Sequence, residues 1–424
     1  MNLNDTIRAA VQARAEATVE LLRALVRFPS VSYRDRPDGD EGPAQAWLAD
    51  YLRGLGLEVE VFEPGPDALH HPGQPWPGGD FAGRPNVFGW WHGRGGGRSL
   101  ILNSHIDVVP AGDETEWRFG PFSGEVAEGR LWGRGSVDAK GCLAAFVGAV
   151  AALKAAGIQP RGTVLLQSVV AEETGGAGAL AAVLRGPRAD AALIGEPTAL
   201  DVCPACRGFL TYRCTVHGRT AHPGAAHEGV NAIHEALSLL AAVPALSAEL
   251  DRRNPHPLWA LAPTAHLCSV TTVEGGRQGQ AIPDRCTFGG SIGLAPGDDL
   301  EETRRFVERY LHEVAATDPW LHANPPELVW LPRTTAPAGI DADHPLARTL
   351  AATVQSTIGR APTVRAFWAA SDMRFLANQG GMPCVHFGPG DLRLGHCPNE
   401  ALPIDELLTA TEVVARFIVE WCEV

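Results

Sequence analysis

Val164-Leu-Leu-Gln-Ser-Val-Val170 is followed by Ala171-Glu172-Glu173 and then by Thr174-Gly175-Gly176, a mostly apolar run of strand length that ends on two adjacent carboxylates. Neighbouring carboxylates at the end of a buried strand repel each other and are expensive to desolvate, so compensating positive charge must stand nearby. A metal cluster would supply it. Successive residues of a strand face opposite ways, so Glu172 and Glu173 reach one site only if the strand has ended and the backbone turns there. The Thr-Gly-Gly that follows permits that turn.

Working outward, Leu100-Ile-Leu-Asn-Ser-His105-Ile-Asp107 is a second apolar run, ending on a histidine with an aspartate two positions later. On an extended segment those two share a face, so Asp107 is expected to accept the ring N–H of His105 that a metal does not use. Further candidates lie in Gly133-Arg-Gly135-Ser-Val-Asp138-Ala-Lys-Gly141, in Leu193-Ile-Gly-Glu196-Pro-Thr198, and in Gly395-His396-Cys-Pro-Asn399-Glu400 after Phe387-Gly-Pro-Gly390. Most of these groups follow an apolar stretch, and the carboxyl ends of strands are where open α/β sheets place their ligands. Two histidines and four carboxylates, with no clustered thiolate, suit zinc, cobalt or manganese, and a shared carboxylate lets two ions sit roughly 3.5–4 Å apart. The expectation is a dinuclear hydrolase.

Strands alternate with helices from Val87 through Ile194, which means a parallel sheet with crossover helices. An initial helix is expected over residues 5–27, with an aspartate able to cap it, ending at Phe28-Pro29-Ser30. The Gly- and Pro-rich segment from Glu63 to Arg84, with Trp76 and His70-His71, reads as a surface connection. After Glu196 the rhythm changes. Strands Phe209–Val216, His266–Val273 and Arg285–Ile292 and helices Val230–Ala242 and Leu300–Val314, the latter capped by Asp298 or Asp299, form a two-layer α+β unit. Alternation returns beyond about residue 320, with a helix from Pro345, a short helix Ser371–Asn378, a strand Cys384–Phe387 and a terminal helix from Ile404.

The series of motifs resembles the M20 family of metallopeptidases and deacylases, in particular its acetylornithine deacetylase and succinyl-diaminopimelate desuccinylase branch, over nearly the whole chain. The resemblance implies an α/β fold. A mostly parallel-sheet metallohydrolase catalytic domain (residues 1–206 and 321–424) would be interrupted by an α+β two-layer lid and dimerisation domain (residues 207–320). It further implies His105 as a ligand of one metal, Asp138 as the bridging carboxylate, Glu173 and Glu196 as ligands of either metal, His396 as the last ligand, and Glu172 as general base. The chemistry is consistent with that assignment. A water bridging two divalent ions has its pKa drawn toward neutrality, Glu172 takes its proton, and the hydroxide attacks an amide carbonyl polarised by the second ion.

Within the expected lid, Val216-His-Gly218-Arg-Thr-Ala-His222-Pro-Gly224 resembles the family motif whose histidine, here His222, reaches the neighbouring subunit's active site and stabilises the oxyanion. Arg207 resembles the family's substrate-carboxylate arginine, and Asp372 and Arg374 are candidates for the substrate pocket. The chain also departs from the family. Gln280 stands where relatives carry Asn, and Gly293, in Ser291-Ile-Gly293-Leu, where they carry Arg; glycine cannot replace a bidentate guanidinium fork. The substrate is therefore expected to lack the α-carboxylate arrangement of those relatives, and Trp90, Trp91, Trp117 and Trp368 are compatible with a planar one.

Composition bounds the alternatives. At 424 residues the chain exceeds one hydrophobic core, and 35 basic against 49 acidic side chains, a net charge of −14, argue against nucleic acid or an anionic membrane as partner. The N-terminus lacks a basic region followed by an apolar core, and no stretch approaches the roughly 20 apolar residues of a spanning helix. Nine scattered cysteines, an odd number, point to a reducing compartment, so a cytoplasmic setting is expected, and the family resemblance implies a homodimer through the lid domain acting on a small molecule. Cys203-Pro-Ala-Cys206 has redox-motif spacing but no helix pattern starts there, and Gly289-Gly-Ser291-Ile-Gly293 fits a nucleophile elbow but is followed by Ala295-Pro296 rather than a helix. The resulting expectation is a two-metal amidohydrolase, zinc first among its metals, cleaving the amide of a small N-acylated amino acid or related metabolite. The competing readings are a deaminase or deformylase of an aromatic or heterocyclic amine using the same site, and a catalytically silent metal-binding paralogue.

Overall fold

A computed structural model describes residues 2–33, 39–73, 80–276 and 279–424. It divides into two compact units, one formed by residues 1–205, 339–367 and 371–424, the other by residues 206–338 with 368–370.

The larger unit holds a six-stranded sheet in the order Glu58–Phe62, Asn86–Trp91, Val164–Val169, Leu100–His105, Ala191–Ile194, Cys384–His386. The last four run parallel, and the first two add an antiparallel edge. Parallel strands need both faces covered, and the chain supplies the covering helices. Helix Lys140–Ala155 is buried at every position from Lys140 to Leu153, as an Ala-rich helix without a polar face must be, and packs against the terminal helix Ile404–Cys422. Lys140 is the exception in character: its buried Nζ donates to the carbonyls of Leu25 and Phe28 at 3.0 and 2.7 Å. Burial pulls this amine down to about 7.

The expected N-terminal helix is two helices, Leu3–Ala13 and Ala15–Arg27, broken at Arg14. Its cap is Asn2, whose Oδ1 accepts the Asp5 N–H at 2.8 Å, rather than an aspartate. The segment expected to be a plain surface connection from Glu63 to Arg84 contains helix Pro66–Leu69 and ends in a buried ion pair. Arg84 Nη2 and Nε meet the two oxygens of Glu41 at 2.6 and 2.7 Å. Trp76 lies outside the described residues.

The smaller unit is a four-stranded antiparallel sheet in the order Cys268–Gly275, Arg285–Leu294, Gly208–His217, Glu327–Thr335, with helices Ala232–Arg253 and Leu300–Ala315 packed on its buried side chains. Asp299 caps the second helix, accepting the Glu302 N–H at 2.7 Å. The expected return to the larger unit near residue 321 comes later, because strand Glu327–Thr335 pairs with Gly208–His217 and keeps the chain in the smaller unit to residue 338. Helix Ala232–Arg253 is long and apolar enough by length and composition to cross a membrane, contrary to the sequence expectation. It buries Ala236, Leu239, Val243, Leu246 and Leu250 in the core of its own unit, which accounts for that apolar character.

His266 is fully buried in this unit, its Nδ1 2.8 Å from Asp251 Oδ1 and its Nε2 2.8 Å from Asp298 Oδ2. A ring that serves two carboxylates must carry both protons. Burial opposes the charge, but the two aspartates outweigh it and hold His266 above the ordinary imidazole range; both aspartates are held below theirs despite desolvation. The imidazolium's contribution to stability is therefore full below about pH 6.5 and is lost as pH rises through the higher folded-state value, while the carboxylates' contribution fails only in acid. The thermal midpoint of the protein should exceed that of His266→Gln most between about pH 4 and 6.5 and by progressively less in more alkaline buffer; a gap independent of pH would show that the ring is neutral.

Candidate metal centre

The four parallel strands finish on one edge of the sheet, with His105 opposite Val169, and Asn103 and His386 both opposite Ile194. That edge gathers the charged residues. His105 is the last residue of its strand, Glu172 and Glu173 follow Val164–Val169, Glu196 follows Ala191–Ile194, and His396 lies on the loop after Cys384–His386. Asp138 enters from the connection between strand Arg130–Trp132 and helix Lys140–Ala155.

His105 Nε2 stands 3.2 Å from Asp138 Oδ1, His396 Nε2 3.4 Å from Asp138 Oδ2, and His396 Nε2 2.8 Å from Glu173 Oε1. Ligand atoms of His105, Asp138 and Glu196 lie within 4.8 Å of one another, as do those of Asp138, Glu173 and His396. Asp138 belongs to both groups. All but His396 are buried, and that side chain is 48 % exposed.

The electrostatics are those of too many acids in one place. Burial, followed by repulsion from Asp138, Glu172 and Asp372, pushes Glu196 well above the ordinary carboxylate range, and burial raises Glu172 and Glu173 in turn. Asp138 alone is held below its ordinary value, because the hydrogen bond and charge of His105 overcome its desolvation. The Glu173 hydrogen bond pushes His396 up to about 9, and burial of His105 is outweighed by its hydrogen bond to Asp138 together with the charges of Asp107, Glu196 and Asp138, which hold it well above the ordinary imidazole range. Protons on these two rings occupy the positions that a divalent cation would take between imidazole and carboxylate, and binding a cation would release them. The donor set, imidazole and carboxylate with no thiolate, fits such ions.

The turn that brings both glutamates to the site is visible in the backbone. Ala171 has φ 61° and Gly176 φ 76°, and a Cβ on Gly176 would fall 2.5 Å from Asp372 Oδ1, so neither geometry nor space admits a side chain there. Asp107 meets the His105 ring through its main chain and not, as the shared strand face leads one to expect, through its carboxylate. The Nδ1 of His105 is 2.9 Å from the Asp107 main-chain oxygen and 3.6 Å from its carboxylate. The carboxylate instead accepts the N–H groups of Glu172 and Glu173 at 3.0 and 3.1 Å, so Asp107 shapes the turn that carries them. Thr174 in the same turn shares a 2.8 Å hydroxyl contact with Ser32, which Arg84 also reaches.

Arg374, a sequence candidate for the substrate pocket, is buried and donates to the carbonyls of Ser371 and Gly175, both at 2.8 Å. Asp372 is buried beside it, with Oδ1 lacking a hydrogen-bond partner among the described residues and its pKa held well up by desolvation and then by Glu172. Arg207, in the smaller unit, commits Nε and one Nη to the carbonyls of Ala265 and Thr264. Gln280 is exposed in a turn. His222 is also exposed; its Nδ1 accepts the Gly224 N–H at 3.1 Å, which leaves Nε2 as the outward ring nitrogen. Gly293 is not an open socket, because a Cβ there would lie 2.6 Å from the Leu267 nitrogen. His386 is a core residue stacked on Phe367 and pulled down to about 3 by burial, and Cys203 and Cys206 are buried and not joined by a disulfide.

Sequence reasoning missed the supports around Asp138. Glu400 and Arg134 form a buried ion pair at 2.7 Å, and Glu400 Oε1 also accepts the N–H groups of Val137 and Asp138. The available signal was an arginine four residues before one candidate ligand and a glutamate four residues after another.

The model of peptidase family M20/M25/M40 matches residues 101–420. The chain is 30% identical over 441 residues to an N-formyl-4-amino-5-aminomethyl-2-methylpyrimidine deformylase of Halalkalibacterium halodurans, covering 100% of this chain and 98% of the relative. It is 31% identical over 424 residues to a succinyl-diaminopimelate desuccinylase of Gluconacetobacter diazotrophicus, covering 96% of this chain and 98% of that one. Among solved structures, human carnosine dipeptidase 1 superposes with a TM-score of 0.75 at 18% identity, covering 100% of both chains, a likeness of fold.

Proposed function

We propose a reaction from one premise: the chain belongs to peptidase family M20/M25/M40. It is a hydrolase of amide carbon–nitrogen bonds, and the reading favoured here is release of an amine and a small carboxylate from an N-acylated amino acid or related metabolite. The observation that carries this reading is the pair of ligand groups sharing Asp138, with Glu172 beside Glu173 on one turn.

His105 and Glu196 would hold one divalent ion and Glu173 and His396 the other, with Asp138 available to both; zinc is the first choice, with cobalt or manganese compatible. Two such ions, when bound, lower the pKa of a water and polarise an amide carbonyl. Glu172 takes the proton of the attacking water and delivers it to the departing amine. Its burial raises its proton affinity while His105 and Arg374 restrain the rise, as suits a base that must also act as an acid. Asp107, through the Glu172 and Glu173 N–H groups, keeps both carboxylates at their posts. The smaller unit acts as lid and dimer surface, and His222 donates from the neighbouring subunit to the oxygen on which negative charge develops. Edge strand Cys268–Gly275 with Val273 52% exposed, and Leu237 of the adjoining helix 57% exposed, support self-association there. Nine cysteines, none in a disulfide, support a cytoplasmic setting.

A second reading, deformylation of a heterocyclic amine, is favoured by Gly293. With the Leu267 backbone against it, this position offers no guanidinium fork for a substrate carboxylate. The likeness to the pyrimidine deformylase points the same way.

Three outcomes test the proposal. Glu172→Gln should bind metal as the parent does and lose nearly all turnover, a loss of at least about 10²-fold; undiminished activity would remove Glu172 as the base. In a panel of N-acetyl and N-succinyl amino acids beside N-formyl heteroaryl-methylamines, one class alone should saturate, and saturation by the formamides alone would replace the first reading by the second. Mixing inactive Glu172→Gln and His222→Ala subunits should restore about a quarter of parental activity, because half of the exchanged dimers carry one complete site; no recovery after verified exchange would mean that His222 does not act across subunits.

A further inference from the structure

Glu400 is buried and uses both carboxylate oxygens. Oε1 accepts the N–H groups of Val137 and Asp138 at 2.8 and 3.0 Å, and Oε2 accepts Arg134 Nη1 at 2.7 Å. Arg134 Nη1 also donates to the Cys397 carbonyl at 3.2 Å, and the Gly133 N–H donates to the Glu400 carbonyl at 2.9 Å. Residues 133–138 and 395–400 are thereby stitched along their length, close enough that a Cβ on Gly395 would lie 3.1 Å from Asp138 Oδ2. With its oxygens committed to these donors, Glu400 is a support and not a ligand.

The two halves of the centre differ in what holds them. His105 ends a central strand, and Glu196 follows the next one, so the sheet itself places them. His396 sits on a loop, half exposed, in the left-handed region at φ 59°, and its position depends on what anchors that loop. One anchor is Asn399, whose Oδ1 accepts the Arg118 N–H and whose Nδ2 donates to the Glu116 carbonyl. The other is the Glu400–Arg134 pair, which fixes the same loop to the backbone of Asp138.

Resting on the dinuclear reading above, we propose that Glu400 is a positioning residue that sets the distance between Asp138 and His396, and so governs the affinity of the ion held by Asp138, Glu173 and His396 while leaving the His105 and Glu196 half largely untouched. Partners that orient metal ligands typically contribute about 10–100-fold to affinity. A selective effect of that size at one half of a two-ion centre distinguishes positioning from general loosening.

The experiment is cobalt(II) titration of the full-length metal-free protein by calorimetry and visible absorption. The parent should take up two ions. Glu400→Gln sets two donors face to face at Arg134 and should keep the first ion within a few-fold, with the second weakened about 10–100-fold. Because a charge left unpaired beside Arg134 can prevent folding, the double variant Arg134→Met with Glu400→Met, which replaces the ion pair by apolar side chains of comparable length, should show the same split. Parental binding of both ions by either folded variant, or equal weakening of both, overturns the role of Glu400. A parent that fails to bind two ions overturns the dinuclear reading itself, and this result is seen before any variant is made.

Discussion

Buried carboxylates that crowd one another cannot all remain charged unless cations join them, and this constraint organises the larger unit. Glu173 and Glu196, with the half-buried Glu172, follow parallel strands to one edge of the sheet, and Asp138 joins them from the connection between strand Arg130–Trp132 and helix Lys140–Ala155. Nothing in the packing asks for four acids there. Burial first, and their mutual repulsion after it, raises the proton affinity of the three glutamates, and the imidazoles of His105 and His396 are the nearest compensation that the described side chains provide. The fold tolerates the concentration of charge because main-chain N–H groups and buried guanidinium groups are aimed at the acids that are not ligand candidates. Asp107 receives two N–H groups, and Glu400 receives two more and an arginine.

What was legible in the sequence follows from this. A strand that ends on charge breaks its own apolar pattern, so His105, Glu172, Glu173 and Glu196 stand out, and the alternation around them gives the parallel sheet. The smaller unit's strands and helices were legible for the same reason, with bounds displaced by a few residues. The signal fails where a residue's meaning depends on a distant partner. Glu400 and Arg134 are 266 positions apart, Glu41 and Arg84 each look like ordinary surface charges, and the membership of strand Glu327–Thr335 is decided by its pairing with Gly208–His217, not by its own composition. Asp107 was found for its spacing from His105, yet its carboxylate serves the glutamates of the neighbouring strand, because side-chain direction at the end of a strand is set by the turn beyond it.

Specificity is written in a different way. At Gly293 the backbone of Leu267 occupies the space of a side chain, and the Gly293 N–H donates to the Leu267 carbonyl. Arg207, whose Nε and one Nη are drawn into the carbonyls of Thr264 and Ala265, braces the start of that same segment. Both positions that would be read as anion-binding from motif alone are thus tied to main chain within the smaller unit.

The buried amine of Lys140 carries a consequence for dissection of the molecule. It lies two residues from Asp138 and is satisfied by the carbonyls of Leu25 and Phe28, while Ser32 and the Glu41–Arg84 pair lean on the turn at Thr174. The span matched by the family model begins at residue 101, so a fragment trimmed to that span would strand a buried amine without its carbonyl partners and unbrace a carboxylate turn. The autonomous unit is therefore larger than the matched span, and helix Ala15–Arg27, Ser32 and the Glu41–Arg84 pair are as much a part of the candidate centre's foundations as the strands that carry it.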